Sequence, residues 1–335
     1  MSRVDIGFAE PCEPWRLLST QFPSKLGGKP AWLSLKDLPN AETLQCTVCS
    51  NPKTFLCQVY APHEDCENNF HRSVYIFACR NATCCKKNDN TTFAVFRDNL
   101  PRLNDYYSFD PPPEDTPTTF NPQQWQKLCA LCGCGAEKSC GKCKTPYCSR
   151  QHQVLHWKES HKTTCSDTSS DNGAGKSSVH LLKEFELVIE PEELEAKQEV
   201  DVEEQLRACD ELQRATGGEL ADVEESELDR HAAVDGDRTF TRFRKRVDCN
   251  PEQVLRYERD GEPLWIAETP RPEEVPQCEC GARRRFEFQV MPQFLATVNE
   301  HELDFGVLAV YTCEKSCWGG KGYKKEFIFK QDVAD

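Results

Sequence analysis

CALCGCGAEKSCGKCKTPYCSRQHQVLHWKESHKTTC, residues 129–165, is the stretch from which the rest of the chain can be read. It holds two C-x2-C pairs, Cys129/Cys132 and Cys140/Cys143, followed by Cys148, His152, His161 and Cys165. The last four lie in a run of helical character, paired at i, i+4. That spacing places both members of a pair on one helix face, where they can reach one ion. Four-coordinate zinc takes sulfur and nitrogen ligands at tetrahedral corners. A C-x2-C knuckle fills two corners and an i, i+4 pair fills the other two, so eight ligands make two sites. Unligated thiols are a poor alternative, because eight residues rarely fall at ligand spacing by accident. Cys134 is left over as a small spare thiol.

The same run resembles the MYND zinc finger. The matching residues are the two C-x2-C pairs, Tyr147-Cys148-Ser149, Gln153, Trp157 and His161-x3-Cys165. The resemblance implies interleaved sites: Cys129, Cys132, Cys148 and His152 on one zinc, and Cys140, Cys143, His161 and Cys165 on the other. The family usually carries cysteine where this chain has His152. Histidine is a normal zinc ligand, and His156 is the alternative for that corner.

Twenty-one cysteines in 335 residues need an explanation. The first residues, MSRVDIGFAEPCEPW, lack a basic-then-apolar leader, and no apolar run approaches the ~20 residues of a membrane span. The expected compartment is therefore cytosol, nucleus or both, with the cysteines as thiolates on metal and not as disulfides. Only 38% of residues are hydrophobic, too few for one large core, which points to a partly disordered chain. The net charge of −14 is concentrated: Glu184–Asp229 carries 18 acidic and 3 basic residues, leaving 37 acidic and 38 basic elsewhere. The nearly neutral remainder argues against a broad phosphate-binding face and against direct nucleic-acid binding.

Two further cysteine sets flank the finger. In the first part, Cys46-x2-Cys49 is followed by FLCQVY at 55–60, VYIF at 74–77 and TFAVFRDNL at 92–100, all strand-like in composition. Cys46, Cys49, Cys79 and one of Cys84 or Cys85 make a third site. Cys57 and Cys66 read as packing thiols, and His71 as a polar residue at a strand edge. Near the other end, Cys278, Cys280, Cys313 and Cys317 make a fourth site, among the strands FEFQV (286–290), GVLAVY (306–311) and Glu326–Lys330. Residues 4–34 read as an extended arm packed by its aromatics, with a tight turn at Gly27-Gly28. Asn250-Pro251-Glu252-Gln253 has the form of a helix start, leading into a helix VLRYER. The basic run Arg242–Arg246 reads as a solvated face, with a nuclear signal or a contact for the acidic segment as alternatives. Within that segment Phe185, Leu187 and Ile189 suggest a short strand, and Glu192–Leu212 a charged helix.

The two flanking parts look like copies of one unit. Cys49 lies nine residues before Gln58, and Cys280 lies nine before Gln289. In each, a strand ends in a cysteine pair, VYIFAC against LAVYTC, and a closing strand follows, AVFRDN against FIFKQD. The fold class expected is a small zinc-stapled α+β protein. Two repeated three-stranded β units pack as one discontinuous β domain; two separate domains are the alternative. The parts are an N-terminal arm and first unit (1–110), a proline-rich connector (111–128), the finger (129–165), a disordered acidic linker (166–238), and a helix with the second unit (239–335). About four structural Zn2+ ions are expected.

Across nearly the whole chain outside the acidic linker, the order of parts resembles the programmed cell death protein 2 family. The matches are GFAE at 7–10, FPSKLGGKPAWL at 23–34, QVYAP at 58–62, the central finger, PEQVLRY at 251–257, PLWI at 263–266, CGARRRFEFQVMPQ at 280–293, YTCEKSC at 311–317 and FKQDV at 329–333. The resemblance implies a non-enzymatic protein of cytoplasm and nucleus. It implies a dedicated chaperone for one basic small-subunit ribosomal protein, supporting 40S assembly, proliferation and stem-cell maintenance. A monomer is expected, with other proteins bound through the finger. The rival reading is a MYND adaptor for proline-rich peptides of transcriptional regulators, using a groove beside Trp157. No catalytic residues are read: Cys209 and Cys249 lack a nearby histidine, and there is no Gly-rich cofactor motif.

Overall fold

The computed structural model describes residues 4–113, 116–117, 120–165, 178, 180–193, 238–318 and 322–333. Strands β1 (Asp5–Glu10), β2 (Lys25–Leu26), β3 (Thr54–Tyr60), β4 (His71–Ala78) and β5 (Phe93–Leu100) precede the finger. The finger holds a small ribbon, β6 (Lys138–Ser139) and β7 (Pro146–Tyr147), and a helix, α1 (Arg150–His156). After it come β8 (Phe185–Pro191), helix α2 (Arg238–Asp248), β9 (Leu255–Tyr257), β10 (Arg284–Val290), a short helix α3 (Gln293–Thr297), β11 (Val307–Cys313) and β12 (Lys324–Gln331). Ten strands close into one barrel in the order β1-β8-β2-β3-β4-β5-β12-β11-β10-β9, with β9 returning to β1.

The strands expected from sequence at β3–β5 and β10–β12 sit side by side in that wall. The two groups meet where β12 pairs with β5, Lys324 opposite Arg97 and Glu326 opposite Val95. Each group contains one slip in register, at Leu56 between Phe55 and Cys57 and at Glu287 between Phe286 and Phe288. The rest of the wall comes from β1, β2, β8 and β9. The architecture is thus a mostly-sheet, ten-stranded barrel.

Side-chain alternation explains the burial. On β4, Val74, Ile76 and Ala78 point into the barrel with Val59, Leu255, Phe288 and Leu308. Tyr75 and Phe77 point outward, yet are also fully buried, because Trp32 and the finger cover that face. A strand covered on both faces reads as a continuous apolar run. Trp32 packs on Tyr75, Phe77 and Tyr323 at ring separations of 5.0, 5.8 and 5.0 Å. Its Nε1 donates to the Gly133 carbonyl of the finger at 2.8 Å. Lys29 Nζ donates to the Ala130 carbonyl at 2.7 Å. The finger is therefore fastened to the barrel through the N-terminal arm. The turn that aims this arm needs glycine: Gly27 has φ 62°, and a Cβ there would lie 2.1 Å from the Lys183 carbonyl oxygen.

Three sequence expectations are corrected. The helix VLRYER does not form; Leu255–Tyr257 is β9, pairing with β1 and β10. Leu255 and Tyr257 turn toward the core while Arg256 between them faces the other way, a period of two imposed by the barrel. The helix in this part is α2, which buries Phe243 and Val247 at i, i+4 against Ile266, Met291 and Val307. Second, the short strand read at Phe185, Leu187 and Ile189 forms, over Phe185–Pro191, but as part of the barrel wall and not of a disordered linker: it pairs along the whole of β1. Third, Asp5–Glu10 is a strand and not part of an extended arm. The charged helix expected over Glu192–Leu212 lies, beyond Glu193, outside the described residues. So does most of the disorder expected for 166–238.

Ion pairs tie the early strands to the late ones. Arg72 on β4 and Glu287 on β10, both 0% exposed, form a bidentate pair. Thr312 and Tyr257 also donate to that carboxylate. Burial alone pushes Glu287 up, but Arg72 and its other donors outweigh this and hold it at about 2. Arg97 of β5 and Arg284 of β10 converge on Glu326 of β12 at 2.7 and 2.8 Å. Glu192, just past β8, takes both Arg256 nitrogens at 2.8 and 2.9 Å and Arg246 of α2 at 2.7 Å. One residue of the basic run therefore contacts the start of the acidic segment.

Removing one partner of a buried pair leaves an unpaired charge. Arg72→Ala should cost about 3–5 kcal/mol in urea unfolding, and the double change Arg72→Met/Glu287→Leu should recover most of it. A loss below ~1 kcal/mol for Arg72→Ala would mean that the pair is open to water.

Candidate metal centres

Each metal centre begins with a turn. In Cys46–Ser50, Cys129–Gly133 and Cys140–Lys144 the N–H of the fifth residue donates to the first cysteine's carbonyl, at 2.9, 2.9 and 3.0 Å. In the shorter Cys278–Gly281 turn Gly281 N–H donates to Cys278 at 2.8 Å. The residue after the second cysteine is left-handed in all four: Ser50 (φ 59°), Gly133 (φ 73°), Lys144 (φ 64°) and Gly281 (φ 79°). The turn faces both thiols of the knuckle to one point, while the carbonyls of the first cysteines are satisfied locally.

The structure brings together four sets, each with its ligand atoms within 4.8 Å of one another: Cys46, Cys49, Cys79 and Cys84; Cys129, Cys132, Cys148 and His152; Cys140, Cys143, His161 and Cys165; and Cys278, Cys280, Cys313 and Cys317. A tetrahedral zinc with bonds of about 2.3 Å to sulfur and 2.0 Å to nitrogen sets S···S edges near ~3.8 Å and S···N edges near ~3.5 Å. The observed S···S edges are 3.6 Å for Cys49–Cys79, 3.6 Å for Cys132–Cys148, 3.7 Å for Cys140–Cys165, 3.5 Å for Cys278–Cys317 and 3.6 Å for Cys280–Cys313. They are far too long for disulfides and fit thiolates around one cation. His152 presents Nδ1, 3.1 Å from Cys148 Sγ, and His161 presents Nε2, 3.2 Å from Cys143 Sγ. The residues fit zinc in all four places, and four structural zinc sites are assigned.

Local structure selects among the alternatives left open by sequence. Ser149 caps α1 by accepting from the His152 N–H at 3.1 Å. Cys148 and His152 then lie one turn apart. His156 is turned away, with its Nδ1 2.9 Å from the Tyr147 hydroxyl. Beyond α1 the helix widens into a single π turn, Trp157–His161, which presents His161 and Cys165 to the second finger site. In the N-terminal centre Cys84 is the fourth ligand. Cys85 points elsewhere and donates to the Asp304 carbonyl at 3.3 Å.

Within each centre one thiol is held acidic while crowding by burial and neighbouring thiols raises others, such as Cys79, Cys148, Cys165 and Cys317. Burial raises Cys49, but the backbone at Asn51 and the neighbouring thiols bring it down to about 7. Burial likewise raises Cys143, and Thr145 brings it down to about 6. The backbone at Ala282 leads in holding Cys280 at about 7. Cys57, wholly buried among apolar side chains, is pushed upward by burial alone and is a packing thiol. Cys134 is buried beside the first finger site without joining it, and Cys66 is exposed. His71 is buried, with Nδ1 2.8 Å from the Tyr60 hydroxyl and its ring stacked 4.2 Å from Phe22. Cys209 lies outside the described residues. The left-handed residues of the four knuckles went unread in the sequence, although their position directly after each second cysteine is a usable signal.

Intact-mass measurement under native conditions should find about four zinc ions per chain, and Cys278→Ser should lower the count by about one. A count of two, with Cys46, Cys49, Cys278 and Cys280 all reacting freely with thiol reagents, would remove the outer centres.

Comparison with known proteins agrees with this layout. Residues 3–114 match the family described as the programmed cell death protein 2 N-terminal domain, residues 237–332 its C-terminal putative domain, and residues 129–165 the MYND finger. The chain is 41% identical to programmed cell death protein 2 of Bos taurus, over 99% of this chain and 97% of that one. It is equally similar, 41% over the same shares, to the Mus musculus protein of that name. Over 24% of each chain it is 31% identical to a Schizosaccharomyces pombe protein named probable 20S rRNA accumulation protein 4. No solved structure matches the chain.

Proposed function

The chain belongs to the programmed cell death protein 2 family, and from that premise we propose that it is a non-enzymatic chaperone for a basic small-subunit ribosomal protein, held until 40S assembly. The observation that carries this reading is the separation of charge. Glu184–Asp229 has 18 acidic and 3 basic residues, while the rest of the chain is nearly balanced. An acidic segment attached to a neutral folded body attracts a strongly positive client quickly, and salt weakens that attraction. The name of the yeast relative, which concerns accumulation of a ribosomal RNA, supports a role in ribosome production. Each metal centre is a closed set of four protein ligands. Such a site gives water or substrate no open position, as a structural zinc requires. Among the described residues no helix is long and apolar enough to cross a membrane. We place the protein in cytoplasm and nucleus, where such a client is made and assembled, and expect it to support proliferation and stem-cell maintenance through ribosome supply.

A second reading, the finger as an adaptor for proline-rich peptides, has one observation in its favour. Trp157 and Val154 on the finger helix are 40% and 43% exposed, an apolar pair of the kind that grips such ligands. The finger then serves as a second binding surface on the same protein.

Affinity purification of nascent complexes in the presence of RNase separates the two. The chaperone reading expects one basic ribosomal protein in about stoichiometric amount, resistant to RNase, weakened by high salt, and lost on Cys46→Ser or Cys313→Ser. An adaptor instead yields proline-rich partners lost on Trp157→Ala, with the outer centres dispensable. Whole ribosomes that vanish on RNase treatment would refute the chaperone reading.

A further inference from the structure

The barrel wall has a gap. Between β8 and β3 it contains only β2, two residues long. Lys25 pairs with Glu186 and Gln58, and Leu26 with Phe185 and Cys57. Ser24 makes the last contacts: its carbonyl accepts the Leu187 N–H and its hydroxyl the Tyr60 N–H, each at 2.9 Å. Before it, Pro23 has no N–H to give and Phe22 turns left-handed at φ 49°. The chain thus leaves the sheet. Past this point β8 continues to Pro191 and β3 to Tyr60, with no strand between them among the described residues. A cavity of about 650 Å³ opens there. Its apolar lining is the half-buried Ile189 and Tyr257 over the buried Val59 and Leu187, and Arg16 and Glu186 line it as well.

The strand beside the gap has two faces of opposite character. Phe185, Leu187 and Ile189 face the core, whereas Glu186, already held by Arg16 at 3.0 and 3.1 Å, Val188 and the exposed Glu190 lie on the opposite face. A strand laid next to β8 places its own alternate side chains against these two faces. The favoured occupant is therefore an extended segment in which apolar residues alternate with lysine or arginine. Beyond Leu187 the edge of β8 that faces the gap offers it main-chain groups for pairing, whereas the Tyr60 N–H at the end of β3 is already given to Ser24. β8 leads directly into residues 194–237, which hold 15 acidic and 4 basic residues, so a basic chain drawn to that charge arrives beside the gap.

We propose that the slot between β3 and β8 receives an extended segment of the client as an added strand, with an apolar side chain against Ile189 and Tyr257 and a basic one beside Glu190. This rests on the chaperone reading above and gives it a binding site.

The test uses the full chain with benzoylphenylalanine in place of Tyr60, or of Trp157 as the comparison, irradiated in RNase-treated complexes. Crosslinks from position 60 should map to a client segment of alternating apolar and basic residues. Glu190→Lys should lower client capture about fivefold, while Glu273→Lys, exposed and away from the slot, should leave it unchanged. The slot proposal is overturned, with the chaperone reading intact, if the client is captured but crosslinks only from position 157. It is overturned equally if position 60 crosslinks only to this chain, or if both charge reversals lower capture alike. Capture of no ribosomal protein overturns both.

Discussion

Thiolates at the ends of strands are the constraint on which the rest depends. The N-terminal centre joins the turn before β3, through Cys46 and Cys49, to Cys79 just past β4 and Cys84 before β5. The C-terminal centre joins the turn before β10, through Cys278 and Cys280, to Cys313 at the end of β11 and Cys317 before β12. Each centre therefore locks one end of three neighbouring strands. Three antiparallel strands are only marginally stable alone and leave an apolar face uncovered. Closing both groups into one barrel lets Val74, Ile76, Phe288 and Leu308 share a core, each adding about 1.5–3 kcal/mol by burial.

Polar contacts inside this frame decide how the parts register. Glu287 is the extra residue at the slip between β10 and β11, and the slip carries the carboxylate that receives Arg72 from the far side of the chain. Such bulges re-aim a side chain at the cost of one ladder position. Glu326 and Glu192 do similar work, each gathering two arginines from different segments. Trp32 extends the same frame to the finger, so that its first zinc centre shares a core with β4 and β5.

How far the sequence could be read follows from which forces are local. Ligand spacing is local chemistry: two cysteines three apart, or a cysteine and histidine one helical turn apart, state their purpose without a partner. That made the four clusters readable. It could not choose Cys84 over Cys85, because that depends on where Asp304 lies. The strands at β3–β5 and β10–β12 are rich in aromatic and β-branched residues and were legible for that reason. β1, β2 and β9 were obscured by short length, and β8 showed only as the alternation Phe185, Leu187, Ile189, its place in the barrel hidden by Glu186 and Glu190 on the outward face. Leu255-Arg256-Tyr257 is strand only because Gly7 and Val290 lie on either side of it. Local helix signals at Asn250-Pro251 gave way to that pairing.

If metal closure at one end holds a single closed barrel, damage at one centre is felt on both strand groups. Hydrogen exchange of Cys49→Ser against the unaltered chain tests it most directly. Protection should be lost in β3–β5 and also in β10–β12, around Gln289 as well as Gln58, because the two groups share the β5–β12 seam and one core. Loosening confined to β3–β5, with protection beyond residue 238 unchanged, would contradict it.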